Sequence, residues 1–167
     1  FDAVAGVQPQ SETVWRQANK YHVPRIVFIN KLDREGADFE GTFAEIANRL
    51  QANPVAIQIP VGLGPPHAPT PFRGVIDLIT MEFLTFNAGD DARQVQATSI
   101  PEECQTEAEL WREKLLEALG DYKEELMELA LQEAEVPKEL IYRVLREATI
   151  LHQIEPVLCG SALHGLG

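Results

Sequence analysis

The chain has 167 residues, of which 45% are hydrophobic and 24% charged. That is ordinary for a soluble globular domain and long enough to bury a core. No apolar run approaches the ~20 residues that a membrane-spanning helix needs. The formal net charge of −12 argues against a direct clamp on nucleic acid, although a basic protein partner would suit it.

"FDAVAG" is not a basic start before an apolar stretch, so no signal peptide is expected. Without an initiator Met, the chain is expected to be cut from something longer. The same segment reads as the tail of a strand. In "PQSETVWRQANKY", Val14, Trp15, Ala18 and Tyr21 share one helical face, and Pro9 suits a first helical position. "RIVFIN" (25–30) is apolar without alternation, the pattern of a parallel strand covered on both faces. Phe39, Phe43, Ile46 and Leu50 then recur at helical spacing, with Asp38 as N-cap and "NP" at 53–54 as the stop. Strand, helix, strand and helix make a doubly wound α/β layout.

The pattern changes at residue 55. "PVAIQIPVG" alternates at Val55, Ile57, Ile59 and Val61, and "GLGPPHAPTP" (62–71) is an extended proline-rich loop. "FRGVIDLITMEFLTF" holds two short β-type runs, expected as an antiparallel pair linked near Thr80, and "NAGDDAR" (87–93) reads as a turn. Three helical stripes follow. They run through Cys104, Ala108, Trp111, Leu115 and Ala118, then Tyr122, Leu126 and Leu129, then Leu140, Ile141, Val144, Leu145 and Ala148 after Pro137. The segment from Glu102 to Glu147 carries 14 acidic and 6 basic residues. A solvated helical face explains such a surplus, and an acidic docking surface is the sharper alternative. "IEPVLCGSALHG" is another apolar strand. Cys104 and Cys159 have no metal-ligand spacing and read as reduced thiols of a cytosolic protein. The expected architecture is an α/β half-domain with a parallel sheet and helices (1–54 and 152–167), interrupted by an α+β insert (55–151).

Ligands of open α/β sheets bind beyond the carboxyl ends of the strands. Two polar tetrads stand there, Asn30-Lys31-Leu32-Asp33 and Gly160-Ser161-Ala162-Leu163. A carboxylate offers two acceptors and no donor, which matches the adjacent N1–H and 2-amino groups of guanine. Adenine would leave Asp33 unpaired. Asn30 can reach the imidazole edge of the base and tie neighbouring loops together. The Lys31 stem can lie over base or ribose with its ammonium in water, and Leu32 would point back into the sheet. The backbone N–H groups of Ser161, Ala162 and Leu163 can serve guanine O6, and the Ser161 hydroxyl can brace the Asp33 loop.

"FDAVAGVQPQSETVWRQANKY", "VPRIVFINKLDREGADF", "NPVAIQIPVG", "FRGVIDLI" and "PVLCGSAL" closely resemble bacterial and organellar elongation factor G, a ribosomal translocation GTPase. The resemblance runs from Phe1 to Gly167. It implies that Asn30, Lys31 and Asp33 read guanine, with Ser161, Ala162 and Leu163 completing the pocket for GTP or GDP. It implies that the α/β part is the C-terminal half of a P-loop NTPase-type parallel sheet with helices, and that the insert faces the ribosomal stalk protein. It also implies a cytoplasmic location, with an organellar matrix as the alternative. The chain departs from the family in its longer, proline-rich 62–71 loop and in His164-Gly165, where the family commonly has Lys and Asn.

No G-x-x-x-x-G-K-[ST] phosphate loop occurs in these residues. In the family that loop lies upstream of residue 1, together with the Mg²⁺ site, the γ-phosphate sensor and the water-orienting histidine. Domains touching tRNA and mRNA lie downstream. None of His22, His67, His152 or His164 matches the catalytic histidine. The parent is therefore expected to be a GTPase and this chain to have no catalytic or metal residues. Two other readings compete: a module acting mainly through the acidic insert, and a paralogue used in ribosome recycling or rescue.

Overall fold

A computed structural model describes residues 1–87, 94–132 and 136–167. Three strands, β1 (Val27–Ile29), β2 (Pro54–Ala56) and β7 (Glu155–Cys159), form a parallel sheet in the order β1-β7-β2. Helix α1 (Pro9–Lys20) starts at Pro9, and α2 (Phe39–Leu50) starts where the Asp38 carboxylate accepts a hydrogen bond from Gly41 N at 2.9 Å. Val27, Ile29, Ile46, Leu50, Val55 and Val157 are buried between helix and sheet.

Near the N-terminus the apolar patterns overstate burial. Within the expected face of α1 only Trp15 is buried, whereas Val14 and Tyr21 are exposed. Trp15 is held by the Arg25 guanidinium, 4.2 Å from its ring centroid, and by Phe1 edge-on at 6.1 Å. β1 is only three residues long, with Ile26 68% exposed ahead of it and Phe28 half-buried. "FDAVAG" contributes a single parallel bridge, Asp2 to Asn30, and then turns at Gly6.

The alternating run 54–61 is two strands. β2 belongs to the parallel sheet, while β3 (Gln58–Val61) opens an antiparallel sheet with β4 (Gly74–Asp77), β5 (Glu82–Asn87) and β6 (Gln94–Thr98), in the order β3-β4-β5-β6. Ile57 joins them. Its N–H donates to Val157 O at 3.0 Å and its carbonyl accepts from Leu78 N at 3.0 Å. The parallel sheet thus extends through Ala56, beyond the expected division at 54. The β4–β5 link sits around Thr80 as expected, with the Asp77 carboxylate accepting from Ile79 N and Thr80 N. β6 has no counterpart among the expected elements: all five of its residues are exposed, so it carries no buried alternation. Of the "NAGDDAR" turn, residues 88–93 lie outside the described residues.

Helices α3 (Gln105–Gly120), α4 (Glu124–Leu131) and α5 (Lys138–Ile150) follow the predicted stripes, except that Leu119 rather than Ala118 completes the buried face of α3. Leu119 lies one full i, i+4 step beyond Leu115. The stripes meet the first sheet's own helix: Trp111 contacts Phe39 and Phe43 at centroid distances of 5.8 and 5.3 Å. Arg112 donates to the Leu78 carbonyl and, at 2.7 Å, to Ile79 O, which fastens α3 to the β4–β5 turn. One apolar core therefore runs through both sheets. The cysteines are free; Cys159 is buried, and burial pushes its thiol up from the ordinary value.

Trp111→Ala is expected to cost about 3–5 kcal/mol in urea unfolding, because it opens a cavity between α2 and α3. Val14→Ala, on the exposed side of α1, should stay within about 0.5 kcal/mol. Comparable losses for both would contradict this packing.

Candidate base-recognition site

β1 and β7 run parallel and side by side, so the loops that leave them emerge at the same edge. Ile29 is in register with Cys159, and Gly160 N donates to Ile29 O at 3.0 Å. Leu32 N then returns a hydrogen bond to Gly160 O at 3.2 Å. The Asn30 side-chain oxygen accepts from Lys31 N at 2.8 Å and from Ala162 N at 2.9 Å, across 132 residues of sequence. Its Nδ2 makes no hydrogen bond among the described residues, so a donor remains for a ligand. Asn30 ties the two tetrads together, as its chemistry suggested.

Leu32 is fully buried, and its carbonyl accepts from Gly64 N of the proline-rich loop at 2.7 Å. Lys31 has a left-handed backbone (φ +69°), and its ammonium lies 2.5 Å from the Asp2 carboxylate. That hydrogen bond, helped by Val4 N and Ala5 N, holds the Asp2 carboxyl below the ordinary carboxylate range, against a smaller opposing effect of burial. In this structure the Lys31 head is thus committed to the N-terminal turn. The Asp33 side chain is 17% exposed, and its Oδ2 lies 3.4 Å from His164 Nε2.

The second loop is a closed turn. Ser161 N donates to Leu166 O at 2.7 Å, and Leu166 N donates back to Ser161 O at 3.0 Å. Gly160 permits this closure, because a Cβ there would stand 2.1 Å from Leu166 O. The three N–H groups expected for a carbonyl ligand are therefore unequal. Ser161's is used within the turn, Ala162's is held by Asn30, and Leu163's makes no hydrogen bond among the described residues. The expected brace from the Ser161 hydroxyl to the Asp33 loop is not formed: Ser161 Oγ is buried without a partner, and the Asp33 contact is His164 instead. A buried hydroxyl without a partner marks a place where a ligand or a small local shift supplies the missing bond.

Sequence reasoning missed Asp2 as the partner of Lys31 and Gly64 as the partner of Leu32, since neither stands in a motif. His164 was visible as a departure, but its proximity to Asp33 was not. Two Asp-x-x-Gly tetrapeptides occur, Asp33–Gly36 and Asp38–Gly41; the first begins at the base-site carboxylate and the second caps α2. Among the described residues no group of three or more His, Cys, Asp or Glu is placed to hold a metal ion. No helix among the described residues is long and apolar enough to cross a membrane.

The sequence matches the family model described as the elongation factor Tu GTP binding domain over residues 1–167. Elongation factor G 2 of Desulfotalea psychrophila is 48% identical over 167 residues, covering 100% of this chain and 23% of that protein. Elongation factor G of Thermotoga maritima is 48% identical over 162 residues, covering 97% of this chain and 22% of that protein. The chain thus spans less than a quarter of the length of these curated relatives. A crystal structure of a protein from Thermus thermophilus superposes with a TM-score of 0.80 at 25% identity, over 98% of this chain and 23% of that one. With its whole length matched by the family model and its parallel-sheet fold shared with that structure, the chain belongs to the elongation factor Tu GTP-binding domain family.

Proposed function

We propose that this chain is the guanine-recognising part, with a protein-docking insert, of a ribosomal translocation GTPase of the elongation factor G kind, acting in translation elongation. The observation that carries the reading is Asn30 Oδ1, which accepts from both Lys31 N and Ala162 N and so ties the two strand-end loops together. In the proposed complex the Asp33 oxygens accept guanine N1–H and the 2-amino group. Asn30 Nδ2 faces the imidazole edge of the base, and the Leu163 N–H serves O6, with Ala162 N shared. Adenine would strand the half-buried carboxylate without donors, a penalty of several kcal/mol in sites of this kind.

The phosphate loop, the γ-phosphate sensor, the Mg²⁺ ligands and the water-orienting histidine are proposed to lie outside these residues, as are the contacts to tRNA and mRNA. The chain alone is therefore proposed to be neither a hydrolase nor a tight nucleotide binder. The insert (55–151 as divided from the sequence) is proposed to dock the ribosomal stalk protein, in the cytoplasm or an organellar matrix. Its acidic helices support this: Glu113, Glu117, Glu124 and Glu128 are all exposed and make no ion pair among the described residues, whereas Glu125 is paired with Arg143 at 3.3 Å.

Titration of the isolated chain with labelled GDP should show no binding in the micromolar range and no turnover; either would overturn the proposed division of labour. In the full-length protein, Asp33→Asn should lower preference for GTP over xanthosine triphosphate by about 100-fold or more, because an amide presents a donor where guanine needs an acceptor. Unchanged selectivity would remove Asp33 from its role. Glu113→Lys with Glu117→Lys should reduce stalk-stimulated turnover several-fold at unaltered nucleotide affinity; equal stimulation would count against the docking surface.

A further inference from the structure

We infer that Gly64 is a positioning residue for base recognition: the proline-rich loop of the insert holds the base-reading carboxylate in place through the Leu32 carbonyl, and so contributes to the choice of guanine without touching the base. The inference rests on the reading of Asp33 as the guanine-selecting group.

Leu32 is held from both sides. Its N–H donates to Gly160 O at 3.2 Å, and its carbonyl accepts from Gly64 N at 2.7 Å. That carbonyl and the N–H of Asp33 belong to one planar peptide unit. A bond that fixes the Leu32 oxygen therefore fixes the backbone from which the Asp33 side chain springs. The side chain has no comparable hold of its own. Among the described residues no hydrogen bond reaches the Asp33 carboxylate, and only the His164 imidazole, at 3.4 Å, stands at ion-pair distance from it. The aim of the carboxylate is thus left to its backbone. Guanine needs both oxygens in line with two parallel N–H donors, a contact that tolerates little displacement.

The loop is built to keep its side of the bond in place. Leu63 N donates to Thr70 O at 2.8 Å, Phe72 N to Gly64 O at 3.1 Å and Ala68 N to Pro65 O at 2.8 Å, so the loop is closed on itself. Pro65, Pro66, Pro69 and Pro71 fix φ at four further places. Gly64 makes its bond from a backbone φ of +96°, and a Cβ there would stand 3.1 Å from Ala68 Cβ. Beyond Gly64, a cleft of about 310 Å³ lies between Arg34–Ala37 and Pro65–Pro69. No other hydrogen bond among the described residues joins the loop to the segment that carries Asp33. The tie is therefore one backbone bond, not side chains packed along the length of both segments.

Inosine diphosphate lacks the 2-amino group of guanine. The ratio of its Kd to that of GDP therefore reads the Asp33 contact, while the phosphate contribution cancels. In the full-length protein, Gly64→Ala is strained in its backbone and crowded by Ala68; it should displace the N–H and lower this ratio about fivefold. Pro65→Gly with Pro66→Gly keeps the N–H but loosens the loop, and should lower the ratio about threefold. This second variant decides the matter should Gly64→Ala fail to fold. In the unmodified protein, hydrogen exchange at the Gly64 amide should be slower with GDP bound than with inosine diphosphate, because coupling between two sites is reciprocal. A merely structural loop would weaken both nucleotides equally. An unchanged ratio, with Asp33→Asn still altering the preference for guanine over xanthine, would overturn the role of Gly64 alone, and so would equal exchange with the two nucleotides. Guanine preference indifferent to Asp33→Asn would overturn the base reading and this inference with it.

Discussion

The structure depends on one strand placed between two others. β7 hydrogen-bonds β1 on one side and β2 on the other, although the whole insert separates it from both in sequence. Parallel pairing sets the direction of all three strands, and the β1–β7 register brings Asn30 and Gly160 out of the sheet side by side. Only then can one amide oxygen bond Lys31 N and Ala162 N together. The polar tetrads are short and ordinary by themselves. Their proximity is a property of the sheet, and the sheet is stabilised by burying Val27, Ile29, Val157 and Cys159.

The insert is tied into the same physics rather than hung from it. Trp111 interlocks with two phenylalanines of α2, Arg112 caps the β4–β5 turn through backbone carbonyls, and Asn53, Tyr122 and Gln153 form a small hydrogen-bonded junction where the chain leaves and re-enters the parallel sheet. At the opposite end of β7 from the base loops, the Glu155 carboxylate is paired with Arg25 at 3.2 Å and also accepts from Asn53 N at 2.9 Å. Both ends of the central strand are therefore anchored by polar contacts, one set structural and one set facing the candidate site.

Legibility in the sequence followed burial. Helices α2, α3 and α5 were readable because their apolar residues repeat at the helical period and pack on one side. β7 was readable because it is covered on both faces. β6 is not, since an exposed edge strand leaves no hydrophobic trace, and the apolar pattern of α1 overstates its burial because Val14 and Tyr21 lie on an uncovered flank. At the site, residue identity pointed to Asn30, Asp33 and the 161–163 loop, because amide, carboxylate and small residues at strand ends limit the available chemistry. Apart from the tie that Asn30 makes between the loops, their pairings are not readable. The Lys31–Asp2 and Leu32–Gly64 contacts and the approach of His164 to Asp33 are set by how loops cross in space, and no local spacing encodes that.

The position of Ile57 has a mechanical meaning. This residue is bonded through its N–H to the central strand of one sheet and through its carbonyl to the turn of the other, and a few residues on the chain bonds Leu32 through Gly64. The antiparallel sheet is therefore fastened at its root by backbone hydrogen bonds. Short backbone hydrogen bonds join it to the middle of the parallel sheet and to the loop that carries Asp33. Such a connection fixes the place of the outer elements relative to the loop that carries Asp33 through a few backbone bonds rather than through side-chain packing alone.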